Sequence, residues 1–241
     1  FAEEFAHYRT EDMVPAEPLW EEEHAVDWKN AIENYAEDYH FPTGHQGLAA
    51  LMNAHYDREV TATGCLRLSH ALKKRAPRDW SGRHYHKLLP DYPHLPEAQK
   101  RRWTYFGLCP KGFVDVYPES MDFFHVVPSG PGRRKLRSRS FTLRNPSRAT
   151  KAALYLNTRI NARVQDEDND LTTSVQGGLE TSAYRRGVLS RKEIAVKGFQ
   201  DWIRARLPVA DLDAPPANGN MAAQNRLMLA QAARPAPMAA E

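Results

Sequence analysis

The sequence is poor in cysteine, in net charge and in long apolar runs, and each shortage excludes a class of protein. Its 241 residues contain two cysteines, Cys65 and Cys109, which is typical of reduced thiols in a cytosolic protein rather than of a disulfide-rich secreted domain. The net charge of +3 gives no basis for a nucleic-acid or membrane surface. No apolar run approaches the roughly 20 residues that span a bilayer, and no signal peptide is visible at the start. We therefore expect a cytoplasmic protein that binds neither nucleic acid nor membrane.

What the chain does contain predicts one α+β domain. With 41% hydrophobic and 26% charged residues, it is long enough for one large core. From Trp103 to Arg144 four strand-like runs separated by Gly- and Pro-containing turns predict an antiparallel meander. Residues 147–176 then predict a long helix. A second helix is predicted from Ser190 to Leu207, with Ser190 and Glu193 forming a capping box. A helix packed across an antiparallel sheet follows from this order.

Two histidines stand five residues apart near the start of the chain, with an acid just upstream. A predicted helix from Lys29 to about Tyr39 would place Glu37 and His40 on one face. Pro42 disfavours continuation of that helix. His40 would then lie at the end of the helix and His45 just past the bend. This arrangement lets both imidazoles converge on one point.

The second half of the predicted long helix offers a carboxylate that could join His40 and His45. Val164, Leu171 and Val175 recur with helical spacing, and Asp168 falls on the same stripe. A carboxylate on a core-facing stripe is costly unless it is paired or bound to a metal. Asp168 is therefore the acid of this segment that we predict to point inward.

Two imidazoles and one carboxylate, with open positions opposite, suit a non-heme Fe(II) oxygenase. The same residues also permit a polar network without metal, in a ligand-binding module that lacks turnover. A zinc hydrolase is a further alternative, although no HExxH-like motif supplies the general base that it would need. His84 and His86 would share a face if they lay on a strand, but they are more simply explained as surface or packing residues.

The segments around these residues resemble a known family. Asp27–Lys29, followed by Glu33–His40 and His45, resembles the catalytic-domain signature of Rieske non-heme iron oxygenase α subunits. The later Glu167–Asp168 and Val175–Leu179 resemble the acidic segment of that family. The resemblance covers about residues 16–207. It departs from the family pattern at Asp27, where Asn is usual, and at Asp38, where a neutral residue is usual.

The resemblance implies a set of site residues and a fold. His40, His45 and Asp168 would bind a mononuclear Fe(II). Glu37 would be the bridging carboxylate that hydrogen-bonds toward a cluster-ligating histidine of the neighbouring subunit, and Asn34 would lie near the iron. The implied fold is a START-like helix-grip domain, in which an antiparallel sheet wraps around a long helix.

The resemblance also implies an enzyme and its partners: an O2-dependent oxidoreductase acting on a small organic substrate. Glu37 in the bridge favours hydroxylation or demethylation of a quaternary amine, and aromatic-ring hydroxylation is the rival. Electrons would come from a [2Fe-2S] cluster outside this chain, since neither cysteine begins a C-x-H or C-x2-H motif. A reductase that uses NAD(P)H, or a ferredoxin, would supply electrons to that cluster. Members of the family commonly form homotrimeric rings.

These implications divide the chain into three expected parts. Residues 1–15 would be a lead-in from a missing N-terminal Rieske domain, 16–207 the catalytic domain and 208–241 a flexible tail. The tail is predicted from its Pro, Ala, Asn and Gly content, with a short helix near residues 222–233. Residues 46–55 would form a further short helix, residues 57–69 would contain a strand-like stretch around Val60, and residues 70–100 would be a long irregular excursion. The basic run from Arg133 to Arg139 would be a solvated strand face, or less simply a docking face for an acidic electron donor.

Overall fold

One antiparallel sheet organises the molecule, as seen in a computed structural model that describes residues 2–61, 65–108, 110–185 and 187–232. The strands are β1 (Met13–Pro15), β2 (Trp20–His24), β3 (Met52–Val60), β4 (Leu66–Leu72), β5 (Arg102–Leu108), β6 (Gly112–Val116), β7 (Met121–Gly130) and β8 (Arg133–Leu143). Their order across the sheet is β1-β8-β7-β6-β5-β4-β3, and β2 also pairs with β8. The predicted meander is therefore confirmed as β5 to β8.

Eight α-helices are described: α1 (Ala2–Ala6), α2 (Trp28–Tyr35), α3 (Phe41–Gly44), α4 (Gln46–Leu51), α5 (Trp80–Leu88), α6 (Arg148–Leu179), α7 (Ile194–Arg206) and α8 (Met221–Ala232). The Ser147 hydroxyl caps α6 by accepting from the Thr150 amide. Leu156 and Ile160 of this helix lie in the same core as Trp103 and Phe106 of the sheet. The predicted long helix and the α+β fold class are confirmed. None of the described helices has the length and apolarity that a bilayer span requires.

The segment from α2 to β4 departs from the prediction. The helix expected to reach Tyr39 ends at Tyr35. The helix expected over residues 46–55 ends at Leu51, because the chain passes directly into β3. Strand pairing with β4 therefore overrides the helical pattern here. The strand-like stretch around Val60 is split between β3 and β4, and residues 62–64 lie outside the described part.

Residues 70–100 contain more regular structure than the predicted excursion. Helix α5 occupies its centre, capped by Asp79, whose carboxylate accepts from the Gly82 amide. His84 and His86 lie on this helix rather than on a strand, so they do not share a face. Their ring nitrogens contact the backbone carbonyls of Trp80 and Lys73, respectively. These contacts agree with the interpretation of His84 and His86 as surface or packing residues.

Both ends of the described chain carry structure. Strand β1 pairs with β8, and Tyr8 is buried in the main core. The capping box of Ser190 and Glu193 is present, and a 3-10 turn precedes α7. Beyond residue 208 the chain forms a further 3-10 turn and α8, which matches the short helix expected near residues 222–233.

The basic run on β8 is split by strand alternation. Arg137 pairs with Glu21 and Lys135 with Glu23 on the outer face of the neighbouring β2. Arg134 points the other way and is 2% exposed, so the expectation that the whole run is solvated is wrong at this residue. The period of two in a strand sends alternate side chains to opposite faces.

Candidate metal centre

His40, His45 and Asp168 meet in the structure, as the sequence predicted. The Nε2 atoms of the two histidines are 3.1 Å apart. Asp168 Oδ1 lies 3.0 Å from Nε2 of His45 and 3.7 Å from Nε2 of His40. Each of the three residues offers one potential metal-ligand atom, and these three atoms all lie within 4.8 Å of one another. Their role as metal ligands stays a prediction.

The opposite nitrogens of both imidazoles face carboxylates. His40 Nδ1 contacts Glu37 Oε1, and His45 Nδ1 lies 2.9 Å from Glu167 Oε2. An ionised carboxylate only accepts hydrogen bonds, so each Nδ1 carries the proton in a neutral imidazole. The two Nε2 lone pairs then face one another and Asp168. Metal-bound histidines commonly show this arrangement, in which the outer nitrogen donates to a carboxylate.

The donor set fits a divalent metal. Ligands at adjacent corners of an octahedron with bonds of about 2.1 Å are about 3.0 Å apart. Two of the three separations match this value, and the third exceeds it by less than an ångström. The three atoms define one face and leave the other side for further ligands, as expected for two histidines and one carboxylate around non-heme Fe(II).

A break between two short helices positions the histidines. Helix α2 ends at Tyr35 and residues 36–40 are not helical, so His40 lies past a helix rather than at its end. Pro42 does not end a helix but lies in the first turn of α3, where its missing amide costs nothing. Gly44 permits close packing on α6, because a Cβ there would lie 2.8 Å from Leu171 Cδ1.

Helix α6 supplies Asp168 from a face that the sequence located only in part. Asn169 and Thr172 are buried, whereas Val175 is 50% exposed. The inward stripe therefore passes through these polar residues rather than through Val175, whereas Val164 packs against the core as predicted. Asn34 donates from Nδ2 to Asp168 Oδ1 at 2.7 Å, so it lies beside the centre as the resemblance implied.

Electrostatics at the centre favour a positive charge. Burial lowers the pKa of His45, but hydrogen bonds and charge from Asp168 and Glu167 outweigh it, so that the pKa is raised. A proton or a metal ion can supply that charge.

Glu37 is 8% exposed and contacts His40 through both carboxylate oxygens. Besides its contact with the ring, Oε2 lies 3.3 Å from the His40 amide nitrogen. It lies on the non-helical segment after α2, not on a helix face. Its partner in this chain is thus the candidate ligand itself, and its role as a bridge to another subunit stays a prediction.

A cavity of about 740 Å³ opens beside the three residues. Its floor is the inner face of the sheet, including Tyr105, Phe113 and Phe124, and its roof includes residues of α6 such as Asn161. This volume suits a small organic molecule.

Sequence reasoning missed four charged residues of this region. Glu167 was passed over because its phase is not inward, yet it reaches His45 from the edge of the stripe. Asp115, Asp122 and Arg134 all line the cavity. Their signal was a charge at an inward position of an alternating strand, which is informative only once the inner face is known.

Known proteins share the sequence pattern and the fold. A family model for the ring-hydroxylating α subunit (catalytic domain) matches residues 10–209. Chloroplastic choline monooxygenase of Beta vulgaris is 29% identical over 186 residues, which is 75% of this chain and 37% of that protein. The Amaranthus tricolor enzyme is 35% identical over 104 residues, 43% of this chain and 23% of that protein. The matches therefore span only 23% to 37% of the length of these curated relatives.

Two solved structures show the same fold at low identity. CntA, a quaternary ammonium Rieske monooxygenase, superposes with a TM-score of 0.62 and 18% identity, over 84% of this chain and 53% of that one. Naphthalene 1,2-dioxygenase from Rhodococcus sp. gives 0.55 and 14%, over 79% and 55%. Members of the matched family are O2-dependent oxidoreductases. The chain belongs to the family of ring-hydroxylating α-subunit catalytic domains of Rieske-type oxygenases.

Proposed function

We propose that this domain holds Fe(II) through His40, His45 and Asp168 and inserts oxygen from O2 into a small organic substrate bound in the adjacent cavity. The observation that carries this proposal is the convergence of three ligand atoms, with both outer imidazole nitrogens tied to carboxylates. When bound, Fe(II) would supply the redox chemistry that activates O2 for insertion into a C–H bond or an arene. Two electrons per turnover come from a [2Fe-2S] cluster outside this chain.

The residues of this chain do the positioning. Glu37 and Glu167 hold the two imidazole rings with their Nε2 atoms toward the centre. Asn34 orients the Asp168 carboxylate from the cavity side. The aromatic floor keeps the reacting part of the substrate away from bulk water.

The family resemblance gives Glu37, which contacts the candidate ligand His40, the role of the bridging carboxylate that would face the cluster domain and relay its electrons. That domain belongs to a neighbouring subunit of a homotrimer, and an NAD(P)H-dependent reductase or a ferredoxin reduces it. We place the protein in the cytoplasm. The choline monooxygenases among its relatives and the glutamate at the bridge favour a quaternary amine over an aromatic ring as substrate.

Metal content tests the proposal directly. Protein purified without oxygen should contain close to one iron per chain by mass spectrometry, and His40→Ala and Asp168→Ala should lose it. Asp170→Ala is the matched control, because Asp170 is an exposed acid on the same helix and its removal should leave the iron in place. Zinc in place of iron would favour the hydrolase. No metal, or iron that survives Asp168→Ala, would overturn the proposed ligand set.

A further inference from the structure

Asp38 lies between Glu37 and His40 in the sequence, but its side chain points away from the candidate metal centre and is 0% exposed. The family pattern usually has a neutral residue here, so this charge needs an explanation of its own. A carboxylate that is wholly removed from water is costly to fold unless it has a partner. The partners of Asp38 therefore indicate what its charge does.

Two strands of the sheet supply those partners. Arg58 of β3 donates from Nη2 to Asp38 Oδ1 at 3.0 Å, and Nε2 of His70 on β4 lies 3.4 Å from Asp38 Oδ2. The side chains of Arg58 and His70 are themselves largely buried. Salt and water screen a buried charge pair much less than a surface pair. Asp38 thus ties the segment after α2 to the β3–β4 end of the sheet.

Phe41 makes a second tie between the same segment and the sheet. Its ring stacks on His70 with the centroids 5.4 Å apart. It also meets the rings of His40 and His45 edge-on, at 5.2 and 5.4 Å. The Phe41 amide donates to the Asp38 carbonyl at 3.1 Å. His70 is therefore shared between Asp38 and a ring that touches both candidate histidine ligands.

Residues 37–40 depend on such ties because they lie between α2 and α3 and are not helical. Glu37 faces the candidate ligand that follows it, and Asp38 faces the sheet. Tyr39 faces outward, where its hydroxyl donates to Glu193 at 3.1 Å. This contact is exposed, and a polar contact is electrostatically stronger inside a protein than in water. The buried pair of Asp38 is therefore the stronger polar tie.

The tie acts on Glu37 through the backbone. The peptide plane that joins Glu37 to Asp38 is rigid, so a fixed Asp38 restricts the position from which the Glu37 side chain starts. Glu37 in turn contacts both the ring and the amide of His40. Ordering a long acidic side chain for these contacts costs conformational entropy, and a backbone that is already fixed lowers the total cost.

We propose that Asp38 is a positioning residue, which Arg58 and His70 hold so that Glu37 stays directed at His40. The role rests on the proposed function, because it concerns the acid that orients a ligand of the metal. Metal affinity then depends on a buried ion pair between the segment after α2 and the sheet, although neither member of the pair belongs to the ligand set.

A neutral double variant, Asp38→Asn with Arg58→Met, tests this role. Loss of one member alone would leave a buried charge unpaired and could unfold the protein, whereas removal of both avoids that penalty. The matched control is Glu4→Gln with Arg67→Met, since Arg67 of β4 holds Glu4 of α1 in a part-buried pair with contacts of 2.6 and 2.8 Å. Fe(II) affinity, measured without oxygen by chelator competition, should fall roughly tenfold in the neutral double variant and stay unchanged in the control. Equal affinities in these two proteins would overturn the proposal.

A cycle with Glu37→Ala separates positioning from general support of the fold. If Asp38 acts through Glu37, the neutral double variant should change the affinity by less than about twofold once Glu37 is already alanine, since both changes remove the same interaction. If Asp38 only supports the fold, the two losses add. Additive losses would therefore overturn the proposal.

The ring proton of His40 supplies a readout that needs no metal. In metal-free, nitrogen-15-labelled protein, the Nδ1 proton held by Glu37 should give a slowly exchanging downfield resonance, assigned by its absence in His40→Ala. The resonance should persist in the control and be lost in the neutral double variant. Its absence from wild type, or its persistence in the neutral double variant, would overturn the proposal.

The positioning role and the proposed function fail separately. A chain that binds no iron but loses the resonance in the neutral double variant would keep the positioning role and reject the oxygenase. A chain that holds iron through the three proposed ligands, with equal affinity in the neutral double variant, would keep the oxygenase and reject the positioning role.

Discussion

The Nε2 atoms of His40 and His45 face each other at 3.1 Å while their Nδ1 atoms face two different carboxylates. Neutral imidazoles held in this way have no proton to share between them. The arrangement is stable when a cation lies at the centre, and it makes the two carboxylates part of the site.

Glu37 should act on the metal through its hydrogen bond and on turnover through its charge. Glu37→Gln keeps an oxygen that accepts from His40 Nδ1, whereas Glu37→Ala does not. We expect metal affinity to fall roughly 10–100-fold in the alanine variant and to change little in the glutamine variant. Competition with a chelator of known affinity measures both. Turnover with a reduced cluster-bearing partner should fall in both variants if the charge is needed for relay, and full turnover in Glu37→Gln would contradict that role.

Glu167 should orient His45 even though it is not a candidate ligand. Its Oε2 faces His45 Nδ1, and its other oxygen accepts from Arg163 Nε at 3.0 Å. Glu167→Ala should weaken metal binding roughly 10–100-fold. Asp166→Ala, at an exposed neighbouring position, should leave it unchanged. Equal affinities for the two variants, read by the same chelator competition, would show that Glu167 does not support the ring.

Glu119 should make the folded state less stable as pH rises. Burial raises its pKa from the ordinary 4.5 to about 8, and its Oε2 accepts from the Tyr85 hydroxyl. Between these values the native state binds a proton that the unfolded state releases, so this contribution to stability declines with increasing pH. The slope is at most about 1.4 kcal/mol per pH unit. Glu119→Gln does not titrate and should escape the decline.

Urea unfolding of wild type and Glu119→Gln at pH 5.5, 6.5, 7.5 and 8.5 measures this difference. The other buried acids are present in both proteins, so their contributions cancel in the comparison. The variant should gain on the wild type at each step toward pH 8. A difference that stays constant with pH would mean that Glu119 keeps an ordinary pKa.

Sequence periodicity was sufficient for the large elements of the fold. The meander from β5 to β8 and helix α6 have strong patterns and local turn signals, which tertiary contacts reinforce. Sequence periodicity failed between residues 36 and 60, where α2 ends earlier than predicted and the chain enters β3 at Met52. The start of β3 depends on pairing with β4, which is a contact between segments that the pattern of one segment cannot show.

The sequence features that selected the candidate ligands differ in part from the features that position them in the structure. The prediction of His40 and His45 relied on a bend at Pro42, but the break comes earlier and Pro42 lies in the first turn of a new helix. Asp168 was selected by a stripe of Val164, Leu171 and Val175, and Val175 is half exposed. The polar cavity residues were out of reach, because an aspartate in a strand has meaning only once the neighbouring strand is known.

A centre built from both ends of the domain also acts as a removable crosslink. Asp168 and His45 are 123 residues apart in the chain, and a metal ion bound between them would close that loop only in the folded state. The unfolded chain would have to close the loop at a cost in entropy before it could bind in the same way. The free energy of unfolding would thus increase with the logarithm of free metal concentration once that exceeds the dissociation constant. The thermal midpoint of the domain would then report the metal supply of the cell in which it works.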